Sequence, residues 1–301
     1  MPDFEVMKGP NRQRGVVEGA DGTPIHFHTH GEAGPLVVLT NGIGTTENFW
    51  RFLVAELSKD HRVVHWDYRG HGSTPPSVSG DYSMATLADD LLRVTRRVMR
   101  PGEPAPLHVG FSMGVAVLLR FYGEHPELVR ALGLIAGAPD APGTGTPLFR
   151  LPGSQLAARA VLAAATPVVP VVFPLVRAFL RSPLPIPVAR AAGVIQPHAP
   201  KEDIDQMLDG LSNMEPLAYW RTLRALLAHR GSDVLPKVKV PVTIVAAEHD
   251  AMMPMAQVEE MRRGLPHADF VSIPHAGHAG LVEKGPEMAA AIRALVTRVE
   301  R

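Results

Sequence analysis

The feature that most constrains this chain is a series of short, nearly unbroken apolar runs separated by longer segments with helical spacing. Leu36-Val37-Val38-Leu39, Val63-Val64-His65-Trp66, Leu107-His108-Val109-Gly110, Ala131-Leu132-Gly133-Leu134-Ile135 and Val242-Thr243-Ile244-Val245-Ala246 each have the length of a strand. A strand that is apolar at successive positions has both faces covered, which is the situation of a parallel sheet between two layers of helices. Segments at about 47–58, 83–99, 113–124, 255–264 and 285–299 read as helices, so the pattern predicts βαβα units with right-handed crossovers. Residues 14–30, around the turn Asp21-Gly22-Thr23-Pro24, read as an opening antiparallel hairpin, and 269–273 as a last short strand.

The alternation stops between roughly 140 and 236, where helix-like segments follow one another without a buried strand. The expected organisation is therefore a core of 1–139 and 237–301 interrupted by a helical cap at 140–236. The first sixty residues of that interval, 141–200, hold 11 of the 29 prolines, five arginines (Arg150, Arg159, Arg177, Arg181, Arg190) and no Asp or Glu. Such a lid packs its apolar faces on the sheet domain, lines a lipophilic acyl pocket, or touches an anionic membrane surface. Its longest uncharged stretch, 160–176, has 17 residues and contains Pro167, Pro170 and Pro174, so no transmembrane helix and no stable membrane insertion are expected.

Composition removes several classes of function. Thirty Lys+Arg against thirty Asp+Glu give no net charge and no sign of nucleic-acid binding. The absence of cysteine excludes disulfides, thiolate metal sites and a cysteine nucleophile. Residues 1–15, with Asp3, Glu5, Lys8, Arg12 and Arg14 and no apolar run, do not resemble a secretory signal, and a cytoplasmic location is the expectation.

Gly110-Phe111-Ser112-Met113-Gly114 follows the strand at 107–111 and opens an apolar helix. A nucleophile elbow needs this arrangement: the turn from strand to helix is so tight that only small residues fit two positions before and after the serine. The helix N-terminus adds amide donors where an oxyanion would develop. A serine used only as a helix N-cap would explain its position but not the paired glycines. A serine hydroxyl needs a base, and the base an orienting carboxylate. Downstream, the strand 242–247 runs into Glu248-His249-Asp250, and the strand 269–273 into Pro274-His275-Ala276-Gly277-His278-Ala279-Gly280. Asp250 is the favoured acid, with Asp140 and Glu248 as competitors, and His278 the favoured base, with His275 as competitor.

With these residues in view, the chain resembles the α/β-hydrolases, in the branch of lipolytic esterases, cofactor-free haloperoxidases and meta-cleavage-product hydrolases. The resemblance runs from about residue 22 to the C-terminus, interrupted by the cap. It rests on the elbow, on Ala247-Glu248-His249-Asp250 as the acid turn and on Gly277-His278 as the histidine turn. Asp67-Tyr68-Arg69-Gly70-His71-Gly72-Ser73 is similar to the family's D-x-R-G-x-G-x-S loop, and Asn41-Gly42-Ile43-Gly44 stands where His-Gly is usual. Asn41, Val115 and Ala247 depart from the pattern without removing a catalytic group.

The resemblance implies a mostly parallel eight-stranded sheet flanked by helices, with an inserted helical cap. It further implies Ser112 as nucleophile, His278 as base, Asp250 as its partner, and the amides of Ile43 and Met113 as oxyanion hole. The expected activity is hydrolysis of an ester or related acyl bond in a small, fairly lipophilic substrate, without cofactor or metal. Carbon–carbon hydrolysis, perhydrolysis, acyl transfer to an alcohol, or binding without catalysis are the alternatives, because a fold does not choose a substrate. Tyr219 and Trp220 are candidates for lining the pocket or anchoring the lid. Asp67, Arg69 and His71 read as a structural turn. His26, His28 and His30 alternate on one strand face, read as solvent-facing with no acidic ligand beside them. The oligomeric state is open.

Overall fold

The computed structural model describes residue 7 and residues 12–141 and 160–301, so Arg150 and Arg159 of the cap lie outside the described residues. The strands are β1 (Gln13–Glu18), β2 (Pro24–His30), β3 (Leu36–Thr40), β4 (Arg62–Trp66), β5 (Leu107–Phe111), β6 (Ala131–Ile135), β7 (Val242–Ala247) and β8 (Asp269–Ile273). They form one sheet of eight strands in the order β1-β2-β4-β3-β5-β6-β7-β8. β1 and β2 form an antiparallel hairpin, β2 pairs antiparallel with β4, and every other pairing is parallel. The short Asp21-Gly22-Thr23 connection permits only antiparallel pairing, whereas each parallel pair needs a crossover. β3 to β7 are buried at every position, as their unbroken apolar runs require, while the edge strand β8 is mostly accessible.

The helices are α1 (Arg51–Leu57), α2 (Met84–Val98), α3 (Met113–Glu124), α4 (Val169–Leu180), α5 (Pro185–Ala191), α6 (Lys201–Asn213), α7 (Pro216–Ala228), α8 (Met255–Gly264), α9 (Gly280–Glu283) and α10 (Gly285–Glu300). Two apolar clusters show how the sheet is covered. α2, α3 and α8 bury Leu87, Leu91, Leu118 and Met261 on one face, and α1 and α10 bury Leu53, Leu57, Ile292 and Leu295 on the other. Between β6 and β7 the described residues contain helices and no strand, with α4 to α7 in succession.

The apolar run of the segment between β6 and β7 extends past the uncharged stretch 160–176: Ala160–Leu180, which includes Arg177, is a 21-residue helical stretch long and apolar enough, by length and composition alone, to cross a membrane. Pro170 falls in the first turn of α4, where its missing N–H costs nothing, and only Pro174 lies inside the helix. One sequence expectation needs correction, that of the solvent-facing histidines of β2: β1 and β4 flank that strand on both sides, and His28 and His30 are buried. Moreover, Glu47 places a carboxylate oxygen 3.0 Å from His28 Nδ1, and His28, Glu47 and His65 hold their ligand atoms within 4.8 Å of one another. Arg12 bonds to that same Glu47 oxygen, so a cation is already in place. Burial pushes the Glu47 carboxyl up, but the bond to His28 and the charges around it prevail and bring it to about 2.

Buried histidines make the fold sensitive to acid. Burial lowers the pKa of His71 and of His108 to about 4, and that of His65 well below its ordinary value. These rings stay neutral in the fold while the unfolded chain takes up protons, so their stabilisation is complete above about pH 6.5 and is lost as pH falls towards about 4. Burial raises Asp67 to about 6, which works in the opposite sense over part of that range. His108→Gln removes one of the neutral rings. The urea midpoint of this variant will fall less steeply between pH 7 and pH 5 than that of the wild type, and parallel profiles would exclude His108 as a contributor.

Candidate active site

Ser112 sits between β5 and α3 with φ 53° and ψ −118°, a conformation side-chain-bearing residues seldom adopt. The chain is held there because α3 runs back against the sheet with almost no clearance. A Cβ on Gly114 would stand 2.3 Å from the carbonyl oxygen of Thr40, and one on Gly110 2.7 Å from the backbone of Gly114. Gly137, after β6, would likewise meet Ser112 O at 2.5 Å. The first two glycines are the paired small residues of the sequence motif; Gly137 was not singled out, because its constraint comes from a neighbouring strand. Ser112 occupies the N-cap position, yet its side chain makes no capping hydrogen bond.

The hydroxyl turns instead to His278, with Oγ 3.0 Å from Nε2. Nδ1 of the same ring lies 2.8 Å from Asp250 Oδ2. The other carboxylate oxygen, Oδ1, accepts from the amides of Met252 at 2.9 Å and Met253 at 2.8 Å. These bonds orient Asp250 and leave one oxygen for the imidazole. Its competitors are committed elsewhere: Asp140 accepts from the amides of Gly231 and Ser232, and Glu248 from the amide of His275. His275 is exposed and stands beside His249 rather than the serine. Thus the structure brings together Ser112, Asp250 and His278, and none of the alternatives.

The loop after β3 completes the site. Gly42 approaches the serine so closely that a Cβ there would lie 3.2 Å from Ser112 Cβ. Asn41 holds the loop: its Nδ2 donates to Trp66 O at 2.8 Å, its Oδ1 accepts from the Trp50 indole, and its carbonyl accepts from Tyr68 at 2.6 Å. Asn41 thus ties the end of β3 to β4 and to the turn that leads into α1. The amides of Ile43 and Met113 have no acceptor among the described residues, and Met113, as the first residue of α3, has none available inside the helix. The loop after β4 is structural: Arg69 forks onto Asp90 of α2 at 2.6 and 2.8 Å and reaches Asp21 of the hairpin turn, while Asp67 accepts from Ser73 N.

The segment between β6 and β7 touches the site at two ends. At the histidine end, Val194 O accepts from the amide of His278 at 3.1 Å. Nearby, Glu283 accepts from both Gly277 N and Gln196 N. At the opposite end Leu211 and Tyr219 stand over Gly44. Trp220 does something different: its indole donates to Thr166, joining α7 to the start of the neighbouring helix. Of the two aromatic candidates, then, Tyr219 borders the site and Trp220 anchors the inserted helices to each other. Arg51 and Asp203, a buried pair with contacts of 2.8 and 3.0 Å, fasten α6 to α1. Neither Glu283 nor the Arg51–Asp203 pair carries a local motif, so sequence reading missed both.

Fold and site together define a class. Residues 35–285 match the model of the alpha/beta hydrolase fold family, and the chain belongs to that family and is by class a hydrolase. It is 28% identical over 265 residues to "Putative carbamate hydrolase RutD" of Variovorax paradoxus, covering 85% of this chain and 90% of that one. It is 28% identical over 277 residues to "Epoxide hydrolase 3" of Xenopus tropicalis, covering 88% and 73%. Among solved structures, a thermophilic esterase from Thermogutta terrifontis superposes with a TM-score of 0.75 at 21% identity, over 96% of this chain and all of that one.

The loop geometry yields a prediction. Asn41→Ala leaves the Trp50 indole and the Trp66 carbonyl buried without partners, which will cost about 2–4 kcal/mol of folding stability in chemical denaturation. A loss below about 0.5 kcal/mol would mean that the loop does not depend on Asn41.

Proposed function

We propose that the protein is a serine hydrolase that cleaves an ester bond of a small, uncharged, fairly lipophilic substrate through an acyl-enzyme. The observation that carries the reading is the continuous relay from Ser112 through His278 to Asp250, with the serine held in a strained turn and free of capping duty.

In this reading His278 Nε2 takes the Ser112 proton as Oγ attacks the carbonyl carbon. Asp250 holds the Nδ1–H tautomer and stabilises the imidazolium. The carbonyl oxygen becomes an oxyanion received by the amides of Ile43 and Met113, each worth about 3–4 kcal/mol in comparable sites. Collapse expels the alcohol, which leaves with the proton returned by His278. Water then adds to the acyl-enzyme with His278 again as base, releasing the acid and restoring the Ser112 hydroxyl. The preference for a lipophilic substrate rests on Leu211 and Tyr219 at the oxyanion loop and on the apolar inserted segment. A carbamate presents the same electrophilic carbonyl, and since one relative bears the name of a carbamate hydrolase, carbamates are the second substrate class to assay.

Labelling with a fluorophosphonate probe tests the nucleophile. The wild type will react and Ser112→Ala will not, and kcat/KM on p-nitrophenyl esters from acetate to palmitate will fall by roughly 10⁴ or more in the variant. Asp250→Asn, which leaves the ring in the wrong tautomer, will lower kcat by roughly 10⁴ while still folding. An unlabelled wild type with an intact circular dichroism spectrum would refute the reading and favour a binding role.

A further inference from the structure

Two groups of three side chains among the described residues bring metal-ligating atoms within 4.8 Å of one another: His28, Glu47 and His65, and Glu248, His249 and His275. Each offers two imidazoles and a carboxylate, a donor set that suits zinc and its first-row neighbours rather than calcium or magnesium. The two groups differ in access and in charge. In the first, both rings are buried and Arg12 already neutralises the carboxylate. In the second, all three side chains are exposed, and no lysine or arginine among the described residues pairs with Glu248.

The backbone assembles the second group. Glu248 and His249 lie just past the end of β7 and His275 just past the end of β8, strands that pair in parallel. The amide of Glu248 donates to Ile273 O at 3.1 Å and that of His249 to Ala276 O at 2.8 Å, so the two loops are joined on both sides of His275. The amide of His275 donates to the Glu248 carboxylate at 3.0 Å, and His275 is held at φ 57°, in the left-handed region that side-chain-bearing residues seldom enter. As a result the two rings stand with centres 5.5 Å apart, and His249 Nε2 lies 3.9 Å from Glu248 Oε2. Ligands held at about 2.0–2.2 Å around a tetrahedral ion are about 3.4 Å from one another. Small side-chain rotations therefore close this group on one ion. Neither ring has a polar partner outside the group among the described residues.

We propose that Glu248, His249 and His275 form a surface site for a divalent first-row transition-metal ion such as zinc, with water completing the coordination. The ion staples the loop that leads into Asp250 to the loop that leads into His278. None of its three ligands belongs to the relay of Ser112, His278 and Asp250, so the site stands or falls separately from the proposed activity.

The site is tested by zinc titration of the untagged full chain, stripped with EDTA, followed by calorimetry and by melting curves. The wild type will bind a zinc ion that His249→Ala and His275→Asn each weaken roughly tenfold or more. Zinc will raise the wild-type Tm and leave that of His249→Ala/His275→Asn unchanged. Asparagine is used at 275 because it also adopts positive φ, and His249→Ala, at an exposed position, checks the same site without touching that turn. Magnesium, which takes oxygen ligands, will neither bind nor stabilise. A wild type that takes up no zinc, equal zinc affinity in the wild type and both single variants, or an equal rise in Tm with magnesium would overturn the proposal. So would zinc binding that Glu47→Gln abolishes and the double variant keeps, since the ion would then lie beside Arg12.

Discussion

The candidate chemistry of this molecule depends on the close approach of α3 to the sheet. With Gly114 against the carbonyl of Thr40 and Gly110 against Gly114, no room remains for a relaxed connection between β5 and α3, and Ser112 is pushed into positive φ. A serine so placed cannot bury its hydroxyl in the sheet or spend it on capping the helix. The parallel order of β3, β5, β6, β7 and β8 brings their carboxyl ends to one rim. The loops bearing Ile43, Asp250 and His278 therefore converge on that hydroxyl, as ligand-binding loops do in open parallel sheets.

Convergence alone does not hold an imidazole within hydrogen-bond reach on both sides. The inserted segment contributes directly, since Val194 fixes the backbone of His278 and Gln196 shares Glu283 with Gly277. The buried Arg51–Asp203 pair fastens the same segment to α1. A buried ion pair of this kind is weak evidence of net stability, but losing either partner leaves an uncompensated charge. The segment between β6 and β7 is therefore tied directly to the histidine loop. Its exposed apolar helix is attached to the same framework through Thr166 and α7.

Acid sensitivity follows from a different feature. His65 and His108 are buried within β4 and β5 and His71 in the loop after β4, positions that read in sequence as ordinary members of two strands and a structural turn. Burial keeps them neutral, and the fold thereby carries a proton-linked cost at low pH. His28 shows how far environment can depart from spacing. Its alternation with His26 and His30 suggests an exposed polar face, yet the pairing of β2 between β1 and β4 encloses it beside Glu47, 19 residues further along the chain.

The sequence by itself determined the sheet and the order of the candidate site residues. Each is written in local signals: unbroken apolar runs for strands covered on both faces, and paired glycines around a serine. It also pointed to Asp250 and His278 in preference to Asp140 and His275. Tertiary structure alone decided which groups meet at a distance: Asn41 with Trp50, Trp66 and Tyr68, Arg51 with Asp203, Glu47 with His28, the carbonyl of Val194 with the amide of His278. It also separated Tyr219 from Trp220, neighbours in sequence that point to different surroundings on one helix. The physical reason is that periodicity reports the polarity of a residue's surroundings but not the identity of its partner. Hydrogen bonds and ion pairs between distant segments are chosen by packing, which no local pattern records.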